Sequence, residues 1–225
     1  MGEPTGEMVT FKSNGHTCDG YIAGSGPGVL VIQEWWGLVP HIKDVVDRFA
    51  AAGFTALAPD LYHGHSSTEP DGAGKLMMAL NLETAGKDLS GAIDLLIARS
   101  GTPKVGVVGF CMGGGLAFVV ACQRPDVVAA IAPYYGAIPW ESVQPDWSAL
   151  TAKVVGEYAE NDGWASPEAA RALEMQLRGL GKDATVHIHP GCDHAFFNDA
   201  RPEVYDAAES ALAFDRTVGL FRSSL

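Results

Sequence analysis

The strongest chemical signal is Gly109-Phe110-Cys111-Met112-Gly113, which follows the apolar run Val105-Gly106-Val107-Val108 and precedes a helix-like stretch at 115–123. A strand that enters Gly-x-Cys-x-Gly and then a helix has the nucleophile-elbow pattern, with Cys in place of Ser. The spacing has a physical cause. A side chain at the apex of so sharp a turn needs strained backbone angles and close approach by its neighbours. Glycines two residues before and after remove the side chains that would clash. The turn also sets the thiol at a helix N-terminus, where the dipole and free N–H groups favour thiolate, the better nucleophile. The competing reading is a buried cysteine that packs a helix against a sheet.

Such a nucleophile needs a base and an orienting acid, which in this architecture follow in the order nucleophile, acid, histidine. After Cys111 come His187, His189 and His194. His187 and His189 alternate along one strand-like run, which suits a packing or surface role. His194 lies in the loop Gly191-Cys192-Asp193-His194-Ala195-Phe196-Phe197, between that strand and the last helix, where a triad base belongs. Two acids follow the strand-like run at 154–158, Glu160 and Asp162. Asp162 is favoured, because a short carboxylate in the turn Glu160-Asn161-Asp162-Gly163 is easier to aim at an imidazole Nδ1–H. Glu160 stays as the alternative.

A second cluster, Gln33-Glu34-Trp35-Trp36-Gly37, follows the apolar run at 29–32. In this architecture that loop donates one oxyanion-hole N–H and the residue after the nucleophile donates the other. Trp35 and Met112 are the expected donors. Glu34 is a carboxylate at the mouth of the same site, with a solvated loop charge as the competing reading. Trp36, Tyr135 and Phe197 are expected to line a pocket, and Tyr134 and Trp164 also fall at strand ends. His187-x-His189 and Cys192-x-His194 offer metal-ligand atoms without matched partners, so no metal is expected.

The elements that must position these residues alternate from about residue 28. Strand-like runs fall at 29–32, 54–58, 105–108, 127–132, 154–158 and 185–189; Val29-Leu30-Val31-Ile32 is short and continuously apolar, as expected for a strand covered on both faces. Helix-like stretches separate them, at 42–49, 89–96, 115–123, 166–180 and 201–220. Ser166-Pro167-Glu168 has the form of an N-cap with Pro at the first helical position. This alternation predicts an α/β fold with a mostly parallel sheet and helices on both faces. Ser13-Asn14-Gly15-His16 between runs at 8–12 and 18–23 predicts a hairpin, hence an antiparallel N-terminal edge. Sites in such sheets lie at the carboxyl ends of the strands, where the residues above fall.

Composition narrows the function classes. At 225 residues, with 47% apolar and 19% charged residues, the chain suits one globular α/β domain, residues 1–225, and not a disordered segment. Fifteen Lys+Arg against 27 Asp+Glu give a net charge of −12, which argues against nucleic acid and against an anionic membrane surface. No apolar run approaches the ~18 residues of a membrane span. Residues 1–6 match neither a secretory signal nor a myristoylation site. Cys18, Cys111, Cys122 and Cys192 form no framework, so reduced thiols in a cytoplasmic protein are expected. A monomer or weak homodimer is expected.

Together these blocks resemble the dienelactone hydrolase family of the α/β-hydrolase fold. The resemblance runs from about Val29 to Tyr205. It rests on Gln33-Glu34-Trp35-Trp36-Gly37, Gly109-Phe110-Cys111-Met112-Gly113-Gly114 and Asp193-His194-Ala195-Phe196-Phe197-Asn198-Asp199. It implies carboxymethylenebutenolidase-type hydrolysis of a small ester or lactone through a covalent thioester, with Cys111, His194 and Asp162 as triad and no cofactor. It also implies that Glu34 pairs with the cysteine and controls its ionisation. Family members that act on dienelactone hold its carboxylate with two arginines. Here Asn198 stands four residues past the histidine, Arg201 follows three later, and between Pro59 and Ala98 the basic residues are Lys75 and Lys87. A neutral or weakly polar substrate is therefore expected, or a carboxylate held at lower affinity by Lys75 or Arg201. The competing readings are a broader carboxylesterase or thioesterase, a silent ligand-binding member of the fold, and a redox thiol.

Overall fold

The structure, a computed structural model, describes residues 5–225; the sequence reading of residues 1–4 lies outside them. Two compact units divide the described chain at Val105–Gly106.

In the first unit, strands β1 (Glu7–Ser13), β2 (His16–Ala23), β3 (Gly28–Ile32) and β4 (Thr55–Pro59) run in the order β1-β2-β4-β3. β1 and β2 pair antiparallel with Ser13 opposite His16. The two-residue turn between them is Asn14-Gly15, at φ 40° and 123°. Positive φ at both positions is what a right-twisted hairpin needs, and Asn-Gly tolerates it. β2 pairs antiparallel with β4, and β3 pairs parallel with β4. The expected antiparallel edge is therefore present. All residues of β3 and β4 are buried, which explains their uninterrupted apolar runs.

Helix α1 (Pro40–Ala51) packs Ile42, Val45, Val46 and Phe49 inward. Helix α3 (Leu82–Ser100) is capped by Asn81, whose side chain accepts from the Thr84 N–H, and ends on Gly101 at φ 68°. Between them lies α2 (Pro70–Ala79), which the apolar pattern did not foretell. Ala73 is its buried residue, so the helix carries almost no apolar stripe to read.

In the second unit, β5 (Val105–Phe110) from Gly106 onward, β6 (Val128–Tyr134), β7 (Lys153–Ala159) and β8 (Ala184–His189) follow in sequence order. β6, β7 and β8 pair parallel. The helices are α4 (Met112–Gln123), α5 (Pro167–Gly179) and α6 (Ala207–Ser224). Ser166 caps α5, its hydroxyl accepting from the Ala169 N–H at 3.2 Å. α6 begins later than the expected residue 201. Asp206 accepts the Ala208 and Glu209 N–H groups and sets the helix start there. No helix of the described residues is long and apolar enough to cross a membrane.

Candidate active site

The cysteine elbow is built as its glycines dictate. Cys111 sits at φ 56°, ψ −121°, between the end of β5 and the first turn of α4. Its N–H donates to the Tyr134 carbonyl at 3.0 Å, and its carbonyl accepts the Gly114 N–H at 3.0 Å. A Cβ on Gly109 would stand 2.0 Å from the Gly113 carbonyl oxygen, and one on Gly114 would stand 2.6 Å from the Gly136 Cα. Only hydrogen in place of those side chains lets α4 descend onto the ends of β5 and β6. Cys111 is buried, and Met112 opens the helix whose first N–H groups have no intrahelical acceptor.

The acid and the histidine come from two loops tied together along their length. After β7, the Glu160 N–H donates to the His189 carbonyl and the Asn161 N–H to the Cys192 carbonyl. The Asn161 amide donates to the Gly191 carbonyl, and the Gly191 N–H donates to the Glu160 carboxylate at 2.8 Å. Asp162 thereby faces His194, with Oδ2 2.6 Å from Nδ1. Its other oxygen accepts the Trp164 and Ala165 N–H groups at 2.8 and 2.9 Å. Burial opposes ionisation of Asp162. The hydrogen bond and charge of His194, with the two backbone N–H groups, outweigh it and hold the carboxyl below its usual value. Glu160 is exposed and engaged with the loop backbone, away from the imidazole partner that Asp162 has.

Aromatic packing joins the elbow to the histidine loop. Phe110, beside the cysteine, lies against Tyr134, Tyr135 and Phe197, with ring centroids 4.9, 6.2 and 5.3 Å apart. Tyr135 also meets His194 edge-on at 4.9 Å, and Trp164 meets it from another side at 5.3 Å. Tyr135 and Phe197 are buried, with their rings against His194 and Phe110 respectively. An apolar cleft opens beside Trp164, lined by Gly115, Phe118, Ile138, Trp147, Ala170 and Leu173 among others, with no charged residue in its lining. Trp164 is recognisable in the sequence as a residue at a strand end, whereas the cleft is not, because its walls come from α4, α5 and the 136–147 loop. Asn198 is buried, and its side-chain oxygen accepts the Ala200 N–H at 3.1 Å, bracing the turn after the histidine.

Behind this loop pair lies a charged network that the sequence did not disclose. His189 is buried between two carboxylates, with Nε2 2.7 Å from Glu157 and Nδ1 2.6 Å from Glu209. Arg216 donates to the same Glu157 oxygen at 2.6 Å. Glu157 reads in sequence as one polar residue inside an apolar strand, and its partners lie on β8 and α6.

In the first unit, Glu34, Trp35 and Trp36 follow β3. Glu34 is buried, and the rings of Trp35 and Trp36 meet edge-on at 5.0 Å. The Gly37 N–H closes the turn onto the Glu34 carbonyl at 3.3 Å, with Gly37 at φ 100°. Gln33 accepts the Leu61 N–H, which fixes the segment against the end of β4.

The model of the dienelactone hydrolase family matches residues 19–225. "Protein usf" of Aquifex pyrophilus is 37% identical over 98% of this chain and 99% of its own length. A relative in Aquifex aeolicus carrying the name "Putative carboxymethylenebutenolidase" is 34% identical over 98% of this chain and 99% of its own. Among solved structures, a "Putative Dienelactone Hydrolase" from Klebsiella pneumoniae superposes with a TM-score of 0.86 at 23% identity, covering 96% of this chain and 98% of that one. Est1E from Butyrivibrio proteoclasticus shares the fold at a TM-score of 0.71 and 14% identity, over 96% of this chain and 98% of its own. This chain belongs to the dienelactone hydrolase family, a family of α/β-fold hydrolases that act on ester or lactone bonds.

Proposed function

We propose that the protein hydrolyses small esters or lactones through a thioester on Cys111. The observation that carries the reading is the Asp162–His194 pair, whose carboxylate is fixed at both oxygens. Nδ1–H donated to Asp162 leaves Nε2 as the ring's proton acceptor. His194 then takes the Cys111 proton as sulfur attacks the substrate carbonyl carbon. The tetrahedral oxyanion forms at the N-terminus of α4, with the Met112 N–H as a donor; the expectation for this fold class assigns the second donor to the Trp35 N–H. Collapse breaks the C–O bond, and imidazolium gives its proton to the departing alkoxide, which in a lactone remains part of the acyl chain. Water, deprotonated by the same imidazole, attacks the thioester. The carboxylic acid leaves and the thiol is restored.

The family resemblance adds Glu34 as the group that keeps Cys111 protonated until substrate arrives. A carboxylate beside a thiol disfavours thiolate. Burial of Glu34 supports a role other than that of a solvated loop charge.

The cleft beside Trp164 supports a neutral or weakly polar substrate, which makes a broad carboxylesterase range part of this reading. The test is kcat/KM for two substrates that differ only in a free carboxylate against its methyl ester. The neutral member is expected to be used at least as well. A tenfold preference for the carboxylate, ~1.4 kcal/mol, would contradict this substrate class and require a basic contact such as Lys75 or Arg201.

A further inference from the structure

The first unit holds a second constellation that the hydrolytic reading leaves unused. Asp88, on the inward face of α3, is fully buried. His16 at the start of β2 brings Nε2 to 2.9 Å from its Oδ1, and His63, after β4, brings Nε2 to 3.1 Å from its Oδ2. The Ser13 hydroxyl donates to Oδ1. The three ligand atoms, two imidazole nitrogens and a carboxylate oxygen, lie within 4.8 Å of one another.

The fold builds this meeting from three distant segments. The Asn14-Gly15 turn sets Ser13 opposite His16. Gly91, one turn beyond Asp88, lets α3 close on β1, since a Cβ there would stand 2.4 Å from the Lys12 carbonyl oxygen. Asp60 accepts the Tyr62 and Gly64 N–H groups and so holds the turn that carries His63.

The groups around Asp88 serve its two oxygens unequally. Oδ1 holds the Ser13 hydroxyl and His16, whereas Oδ2 makes no well-aligned hydrogen bond among the described residues and has the 3.1 Å contact with His63 Nε2; the Cys18 thiol also interacts with this carboxylate. A buried carboxylate oxygen with a poorly aligned partner is costly. A dication would meet it and neutralise the charge. Tetrahedral ligands at ~2.1 Å from a metal stand about 3.4 Å apart, so the two imidazole–carboxylate distances, 2.9 and 3.1 Å, need to open by a few tenths of an ångström to admit the ion. The histidine side chains are 34% and 42% exposed, which leaves a path for the ion and room for a water as fourth ligand.

We propose that His16, His63 and Asp88 form a binding site for a zinc-class divalent cation. Two imidazoles with one carboxylate select zinc over magnesium or calcium, which prefer all-oxygen shells. The ion would clip the hairpin, the 60–64 turn and α3 together, stabilising the first unit without a step in the hydrolysis.

The test uses the full chain stripped with a chelator, titrated with Zn²⁺ by calorimetry and followed by thermal unfolding. One equivalent is expected to bind, with a rise in Tm. His63→Ala, a change at a half-exposed side chain, is expected to weaken binding at least about 100-fold and to abolish the Tm rise, with ester turnover retained. Asp88→Asn should act likewise where circular dichroism shows it folded. Cys111→Ala should bind as the wild type does. Absence of a one-equivalent site, or equal binding by His63→Ala and wild type, would overturn the proposal. So would binding that Cys111→Ala removes, since the ion would then sit on the thiol.

Discussion

Asp162 binds His194 with one oxygen, 2.6 Å from Nδ1, and two backbone N–H groups with the other. The carboxylate therefore cannot rotate to follow a wandering imidazole; it dictates where the ring points. Two loops stapled by four hydrogen bonds supply this rigidity, and Glu160 is one of the staples.

Asp162→Asn should lower kcat about a thousandfold or more, because an amide favours the wrong imidazole tautomer. Glu160→Gln should cost less than about tenfold, since only a loop contact weakens. Steady-state turnover of a p-nitrophenyl ester compares the two. The same substitution reports on stability. The folded carboxyl of Asp162 lies below its usual value, so its contribution is present above ~pH 4 and is lost as pH falls through the folded value. Urea unfolding should show a gap between wild type and Asp162→Asn at pH 6 that shrinks at pH 3.

The His189 network should act with the opposite sign. Burial disfavours the imidazolium, but the hydrogen bonds and charges of Glu157 and Glu209 overcome it and raise its proton affinity. Its stabilisation is complete below ~pH 6.5 and is lost as pH rises through the raised value. Wild type should therefore lose more unfolding free energy between pH 6 and pH 9 than His189→Gln does. Glu157→Ala should cost about 3–5 kcal/mol by denaturant unfolding, because it leaves His189 and Arg216 without their shared buried partner.

Much of the site is legible in sequence because its parts are local turns. Gly109-Phe110-Cys111-Met112-Gly113 states its own backbone geometry, and the loops holding Asp162 and His194 follow the strand-like runs at 154–158 and 185–189. That His194 meets Asp162 and not Glu160 agrees with the reach of a short side chain in that turn. What stayed hidden are contacts between distant segments: Glu157 with Arg216, the walls of the apolar cleft, and Asp88 with His16 and His63. Helix α2 stayed hidden for another reason, since a helix that buries Ala73 alone has no stripe.

Alkylation should distinguish the four cysteines. Burial, followed by acidic neighbours, pushes the Cys122 thiol up to about 11 and the Cys192 thiol up to about 12, and raises Cys18 further. Thiols so raised are poor nucleophiles at neutral pH. Iodoacetamide, read by peptide mass mapping in the presence of a substrate-like ligand, should modify Cys111 first. Glu34→Gln should shift the pH dependence of that modification, and an unchanged profile would remove Glu34 from the control of the thiol.

The central claim is the covalent thioester on Cys111. Its direct measurement is intact-protein mass spectrometry of enzyme quenched within milliseconds of mixing with a slowly deacylating p-nitrophenyl ester. The account predicts a mass increase equal to the acyl group, mapped to the Cys111 peptide, released by hydroxylamine, and absent together with turnover in Cys111→Ala. Full turnover by Cys111→Ala, or an acyl adduct on another residue that forms and decays at the rate of turnover, would contradict it.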